Sequence, residues 1–190
     1  MPYGQLKLVV LDRDGVINKD SPDFIKTPDE WIPIKGSLEA IARLSQAGYE
    51  VVIATNQSGI GRKLFSADDL TKIHVRMIDF VGQYGGKIQK ILFCPHHPDD
   101  GCACRKPLTG MYDDLAKRLS INYNGVYSVG DSVRDLIAAQ SAGANPVLVK
   151  TGNGRKSLKE INANEQLGLS TAPVFDNLAG FVDALLKQEI

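Results

Sequence analysis

The chain has 190 residues, 43% apolar and 23% charged, and its 22 basic side chains balance 22 acidic ones. A formal net charge of zero removes the electrostatic basis for a general nucleic-acid or membrane-surface role. The length suits one domain over residues 1–190, with a real core and no room for two large lobes.

The opening residues, MPYGQLKLVVLDRDGVI, contain one short apolar run, Leu8 to Leu11, that ends in charges. It reads as neither a signal peptide nor a membrane span, so a cytoplasmic protein is expected. Short runs rich in β-branched residues recur at Leu6 to Leu11, Tyr49 to Ala54, Ile88 to Phe93, Gly125 to Val129 and Pro146 to Val149. Each reads as a strand buried on both faces. Between them, Leu38, Ile41 and Leu44 form a helical stripe ending near Gly48. Leu70, Ile73, Met77 and Phe80 form another, with Ser66 as N-cap and Asp69 three residues on. Further helices fit Gly110 to Leu119, Val133 to Ala142 and Leu178 to Lys187, whereas Thr151 to Thr171 reads as a polar surface excursion with one short helix. This alternation predicts an α/β fold: a Rossmann-like, doubly wound parallel sheet with helices on both faces and little or no cap. Ligands of such sheets bind beyond the carboxyl ends of the strands.

Carboxylates stand at two of those ends. Asp12 and Asp14 follow the first strand two residues apart, and Asp131 follows a later one with Asp135 a helical turn beyond. Carboxylates converging from two strand ends make a hard, oxygen-rich site suited to Mg²⁺. An ionised aspartate needs no base to attack a phosphate ester, and a second acid can serve the leaving oxygen and then the attacking water. Asp12 takes the first role and Asp14 the second. A DxD followed by glycine is otherwise an ordinary turn, so the reading leans on two phosphate-binding elements. Thr55, Asn56 and Ser58 lie in ATNQSGIGR beside exposed glycine amides, and Arg105 and Lys106 offer cations for phosphate oxygens.

All three cysteines fall in FCPHHPDDGCACRKP, residues 93–107. Three cysteines cannot pair completely, and in a reducing compartment such a cluster binds metal more often than it forms disulfides. Cys94, His96, Cys102 and Cys104 supply the Cys₃His set of a closed, structural Zn²⁺ site over residues 94–104, with His97 a competing ligand. His74 reads as structural or exposed, and Trp31 as packing a loop. Asp135 has three readings: orienting Lys106, assisting Mg²⁺ through water, or lying on a plain helix surface.

Together DRDGVIN, TNQSGIGR, RKP and GDSVRD, in that order across residues 6–150, resemble the four motifs of the haloacid dehalogenase-like phosphatases. The resemblance implies a nucleophilic Asp12, an acid/base Asp14, Thr55 and Lys106 as further catalytic groups, and Mg²⁺ held by Asp12, Asp131 and the Asp14 carbonyl. A narrower likeness, CPHxP…CxCRKP, is to a zinc-loop branch that contains heptose-1,7-bisphosphate 7-phosphatases and histidinol-phosphate phosphatases, and its CxH pattern favours His96. TNQSGIGR is nearer the heptose form, with Ser58 and Arg62 the favouring residues. That branch implies a sugar-phosphate substrate in nucleotide-activated heptose biosynthesis, and a monomer without nucleic-acid or membrane partners. Substrate contacts are then expected at Arg13, at Asp20, Ser21, Pro22 and Asp23, at Thr55, Asn56, Gln57 and Ser58, and at Arg62, Arg105, Lys106 and Ser132. Ser132 stands where some heptose enzymes carry Lys, so a cation there is missing or supplied elsewhere. The rival readings are a histidinol-phosphate phosphatase, a nucleic-acid end phosphatase, and a non-catalytic phosphate-binding zinc scaffold.

Overall fold

The computed structural model describes residues 7–190, so Leu6 of the first expected strand lies outside the described residues. Six strands form one parallel sheet: β1 (Leu8–Leu11), β2 (Glu50–Asn56), β3 (Lys90–Cys94), β4 (Tyr127–Gly130), β5 (Asn145–Val149) and β6 (Val174–Phe175). Their spatial order is β3-β2-β1-β4-β5-β6, with every pairing parallel. The order reverses between β1 and β4, and the crevice at that switch point is where such sheets bind ligands.

Side-chain alternation sends neighbouring residues of a strand to opposite faces. Val9 and Leu11 therefore pack with Ile41 and Leu44 of α1 (Ser37–Gln46), Ile73 and Met77 of α2 (Ala67–Gln83) and Phe181 of α6 (Leu178–Lys187). Leu8 and Val10 pack on the other face with Tyr112 and Leu115 of α3 (Gly110–Leu119) and Ala138 and Ala139 of α4 (Val133–Ser141). Helix α2 starts at the expected cap: Ser66 and Asp69 exchange reciprocal side chain–backbone bonds, an arrangement that stabilises a helix start by about 1 kcal/mol. Trp31 is buried against the edge of Phe80 and closes the loop between β1 and α1.

One expectation changes, and two elements go beyond what the pattern marked. The strand ending at Cys94 is not buried on both faces, because β3 is a sheet edge and Phe93 is 39% exposed. The segment after Thr151 holds the ten-residue α5 (Gly154–Ala163), whose inward positions Gly154, Ser157 and Ile161 have helical spacing but only one large apolar side chain. The two-residue β6 is too short to leave an alternation pattern.

Candidate active site

The first strand delivers Asp12 to the switch point, and the Asp12 amide bonds the Val129 carbonyl of β4 at 2.9 Å. Asp131 follows β4, and Asp135 rises beside it from the first turn of α4. Oxygens of Asp12, Asp131 and Asp135 lie within 4.8 Å of one another, and all three side chains are buried. Lys106 enters this group from the third motif: its Nζ donates to Asp12 Oδ1 at 3.0 Å and to the Ala54 carbonyl at 2.7 Å, and pairs with Asp135 Oδ1 at 2.7 Å. Asn56, the last residue of β2, holds the Lys106 backbone from both sides, accepting from its amide and donating to its carbonyl, each at 3.1 Å. Of the three readings of Asp135, the surface one is overturned, since Asp135 is buried and ion-paired with Lys106.

Three buried carboxylates facing one ammonium leave excess negative charge. Burial, then Asp135 and Asp12, push Asp131 up to about 8. Burial raises Asp12 to about 6, against Lys106 and with help from Asp135 and Asp14. Lys106 is held above its ordinary value, because Asp12 and Asp135 outweigh the burial that opposes its charge. A divalent cation fits this oxygen set and removes the repulsion. In the metal-free protein these raised values work against folding as pH rises. Between the ordinary aspartate value of 3.8 and about 8, the folded state binds more protons than the unfolded state, so stability falls as pH rises. Asp14 and Asp135 have lowered values and weaken the fold only at more acidic pH. The chelator-treated protein should therefore lose Tm from about pH 5 to about pH 8, and a divalent cation should flatten that slope. A flat metal-free Tm by calorimetry would contradict the crowding of these acids.

The Asp14 side chain turns away from the acid cluster. Arg13 grips it with Nη2 at 2.9 Å and 3.0 Å from its two oxygens, while Asn18 Nδ2 and Gln57 Nε2 each donate at 2.8 Å. Burial alone would raise Asp14, but Arg13, Asn18 and Gln57 overcome it and hold the carboxylate ionised. Gln57 Nε2 also donates to Thr55 Oγ1 at 2.9 Å, tying the second motif to the first. The Arg13 guanidinium, expected to reach substrate, is only 1% exposed and is committed to Asp14, Gln57 and His74 Nε2. His74 is accordingly buried, not exposed, and burial followed by Arg13 drives it down to about 3, so the ring is neutral.

Above this floor opens a cavity of about 280 Å³. Its walls include Asp12, Arg13 and Asp14, then Asp20, Ser21 and Pro22, then Thr55, Asn56, Gln57 and Ser58, and finally Arg62, Arg105 and Lys106. Two expected contacts are not among the lining residues. Asp23 lies outside the lining, its backbone amide bonding Ser21 Oγ at 3.2 Å, and the Ser132 hydroxyl is spent on Asp135 at the N-cap of α4. The cation lacking at position 132 arrives two residues later, from Arg134, which lines the cavity. Its signal in the sequence was a basic residue set between the two acids of GDSVRD. Burial and the neighbouring Arg134 depress Arg105, and its buried Nη1 has no partner among the described residues. Arg62, Arg105 and Arg134 thus form a cationic rim over an acidic floor.

The cysteine-rich loop leaves the end of β3. Cys94 Sγ lies 3.6 Å from Cys102 Sγ and 3.6 Å from His96 Nδ1, and Cys104 Sγ lies 3.2 Å from His96 Nδ1. Ligands about 2.3 Å from a tetrahedral ion stand about 3.7 Å apart, so this donor set fits one metal. His97 lies outside the cluster and takes the Asp99 amide at 3.3 Å. Burial drives the Cys94 thiol up to about 12, so its thiolate needs a cation beside it. The loop bears on both phosphate elements. Cys94 and Pro95 carbonyls accept from the Gln57 and Gly61 amides at 2.7 Å and 2.8 Å, and a Cβ on Gly61 would strike the backbone of His97.

Residues 103–180 match a family model described as "HAD-hyrolase-like". The D-glycero-beta-D-manno-heptose-1,7-bisphosphate 7-phosphatase of Bordetella bronchiseptica is 52% identical over 183 residues, covering 96% of this chain and 99% of that one. Its namesake in Pseudomonas aeruginosa is 49% identical over 180 residues, covering 95% and 98%. The crystal structure of the D,D-heptose 1.7-bisphosphate phosphatase of B. bronchiseptica complexed with magnesium and phosphate superposes with a TM-score of 0.90 at 53% identity, covering 96% of this chain and 99% of that one. The corresponding phosphatase of Burkholderia thailandensis superposes with a TM-score of 0.72 at 42% identity over 95% and 98%.

Proposed function

The chain belongs to the D-glycero-beta-D-manno-heptose-1,7-bisphosphate 7-phosphatase family of haloacid dehalogenase-like hydrolases, and we propose from that membership that it removes the C7 phosphate of the β-anomer of this bisphosphate. The observation that carries the reading is the buried Asp12–Lys106–Asp135–Asp131 group lying under a rim of three arginines. A single phosphate would use the floor alone. The rim, with an unpartnered buried guanidinium nitrogen, fits a second anionic group on the same small molecule.

Asp12, Asp131 and Asp135 offer the oxygens for Mg²⁺, and the Asp14 backbone carbonyl completes the proposed set. When bound, Mg²⁺ neutralises the floor and the transferred phosphoryl group. Asp12 attacks phosphorus while Lys106 holds its Oδ1, and the P–O bond to the sugar breaks as the leaving oxygen takes a proton from Asp14, which is ionised in the empty site and takes up that proton when the phosphate dianion binds beside it. The Asp14 carboxylate, steadied by Arg13, Asn18 and Gln57, then takes a proton from the water that cleaves the aspartyl-phosphate, returning both acids to their starting forms. Asp20, Ser21 and Pro22 face the sugar, and Ser58, Arg62, Arg105 and Arg134 take the second phosphate.

Zn²⁺ is the ion proposed for Cys94, His96, Cys102 and Cys104, because three thiols and an imidazole close a tetrahedron with no position left for water. Its contribution is to hold the loop that carries Arg105, Lys106 having anchors of its own in Asn56, Ala54, Asp12 and Asp135. Among the described residues no helix is long and apolar enough to cross a membrane, and three metal-gathered thiols suit a reducing cytoplasm, where a monomer is proposed. The histidinol-phosphate and non-catalytic alternatives are not favoured, since relatives near 50% identity over nearly the whole chain are named heptose bisphosphate phosphatases.

Phosphate release with Mg²⁺ from both anomers of heptose 1,7-bisphosphate, from histidinol phosphate and from a 3′-phosphorylated oligonucleotide tests the proposal. The β-bisphosphate should have the highest kcat/KM, and a preference for histidinol phosphate would overturn the substrate. Arg134→Ala should raise KM for the bisphosphate about tenfold, the value of one charge-assisted hydrogen bond, and leave a heptose 7-monophosphate nearly unaffected. Equal effects on both substrates would remove Arg134 from the second phosphate.

A further inference from the structure

Asn153 lies in the polar stretch after β5, to which the sequence assigns no role. Its backbone amide donates to Asp131 Oδ2 at 2.7 Å, and its side-chain Nδ2 donates to Asp20 Oδ2 at 2.9 Å and to Asp131 Oδ2 at 3.3 Å. The same loop seats Asp131 in other ways. Ser157 Oγ donates to the Asp131 carbonyl at 2.8 Å, Thr151 Oγ1 donates to the Gly15 carbonyl at 2.6 Å, and a Cβ on either Gly15 or Gly152 would strike the Asp131 carboxylate. Both glycines have positive φ, at +81° and +55°, which an L side chain rarely adopts.

Asn153 also occupies the N-cap of α5, where an asparagine side chain ordinarily accepts from an amide of the first turn. Here it makes no such bond. Its amide is instead placed between two carboxylates that repel each other, one on the segment facing the sugar and the other in the cation site. We propose that Asn153 is a positioning residue that couples the Asp20–Pro22 segment to Asp131, so that the grip on Mg²⁺ and the grip on the sugar depend on each other. By fixing Asp131 Oδ2 from outside, it leaves the other oxygen of Asp131 directed at the cation, as outer partners orient metal ligands elsewhere. This rests on the cation site proposed above and adds a residue and a coupling to it.

The test is a Mg²⁺ titration, read as thermal shift without substrate and as half-saturating Mg²⁺ for phosphate release, on the wild type and on Asn153→Ala, Asn153→Asp, Asp20→Ala and the Asn153→Ala/Asp20→Ala double variant. Asn153→Ala should weaken Mg²⁺ about tenfold, the lower end of the range for losing an outer partner of a metal ligand. Asn153→Asp separates positioning from capping. Asp is as good an N-cap as Asn but has no side-chain N–H to donate, so it should raise KM at least as much as Ala while α5 keeps its stability; because its added carboxylate itself attracts Mg²⁺, the metal affinity is read on the Ala variant. Asp20→Ala should raise KM and weaken Mg²⁺, and the Mg²⁺ loss should not add to that of Asn153→Ala. Wild-type Mg²⁺ affinity in Asn153→Ala, or strict additivity in the double variant, would overturn the coupling and leave the active-site reading intact. A wild type indifferent to Mg²⁺ would overturn both.

Discussion

Replacing Asp12 by Asn is expected to lower turnover by about a thousandfold or more, in line with the loss of a nucleophile in other covalent hydrolases. The substitution changes almost nothing but charge. The amide has the shape of the carboxylate, and Lys106 keeps its pairing with Asp135 at 2.7 Å and its bond to the Ala54 carbonyl. The neutral amide oxygen cannot displace the sugar oxygen from phosphorus, so the aspartyl-phosphate does not form. Stability should move the opposite way. Asp12 is raised to about 6 in the metal-free protein because burial and its acidic neighbours penalise its charge, so the Asn variant without divalent cation should melt higher near pH 8 than the wild type. Metal content at the cysteine cluster should stay unchanged. Turnover within tenfold of wild type, measured as phosphate release under single-turnover conditions, would remove Asp12 as nucleophile.

The parts of this protein that were legible in the sequence are those whose physics is local. Val9, Val10 and Leu11 announce a buried strand by composition, and Ser66 with Asp69 announces a helix start by spacing. Asp12, Thr55 and Asp131 could be placed because a strand end is a position in sequence as well as in space, and Lys106 because its motif follows directly on the last cysteine. What stayed hidden depends on which side chains meet across the fold. Arg13, expected at the substrate from the resemblance, does line the cavity, yet its guanidinium pairs with the Asp14 carboxylate within its reach, and His74 and Gln57 close around the pair. Ser132 and Arg134 exchanged roles because the N-cap geometry of α4 turns the hydroxyl back to Asp135 and leaves the longer arginine to reach the cavity. Asn153 sits more than twenty residues beyond Asp131, in a stretch without apolar pattern, and only the neighbouring ends of β4 and β5 bring the two together.

Replacing Cys104 by Ser is expected to release the metal of the cysteine cluster and to lower kcat/KM by about a hundredfold, the scale at which displacement by about 1 Å disables a positioned site. The loss should fall mainly on KM. Lys106 is fixed independently of the metal, through two bonds with Asn56, one to the Ala54 carbonyl and its pairings with Asp12 and Asp135. Arg105 has no such bracket, since its buried Nη1 lacks a partner among the described residues. Arg62 stands on a loop whose Gly61 amide is bonded to the Pro95 carbonyl of the metal loop. Losing the ion therefore frees Arg62 and Arg105, two of the three arginines of the rim, while the floor of aspartates and Lys106 persists. The core should survive, because the face of the sheet packed by α1, α2 and α6 includes none of the three cysteines, which bear only on the face packed by α3 and α4. KM for a bisphosphate should then rise far more than KM for p-nitrophenyl phosphate, which presents no second anion to the rim. Full activity in protein shown by elemental analysis to be free of the metal would refute this division between an ion that sets specificity and a floor that performs the chemistry.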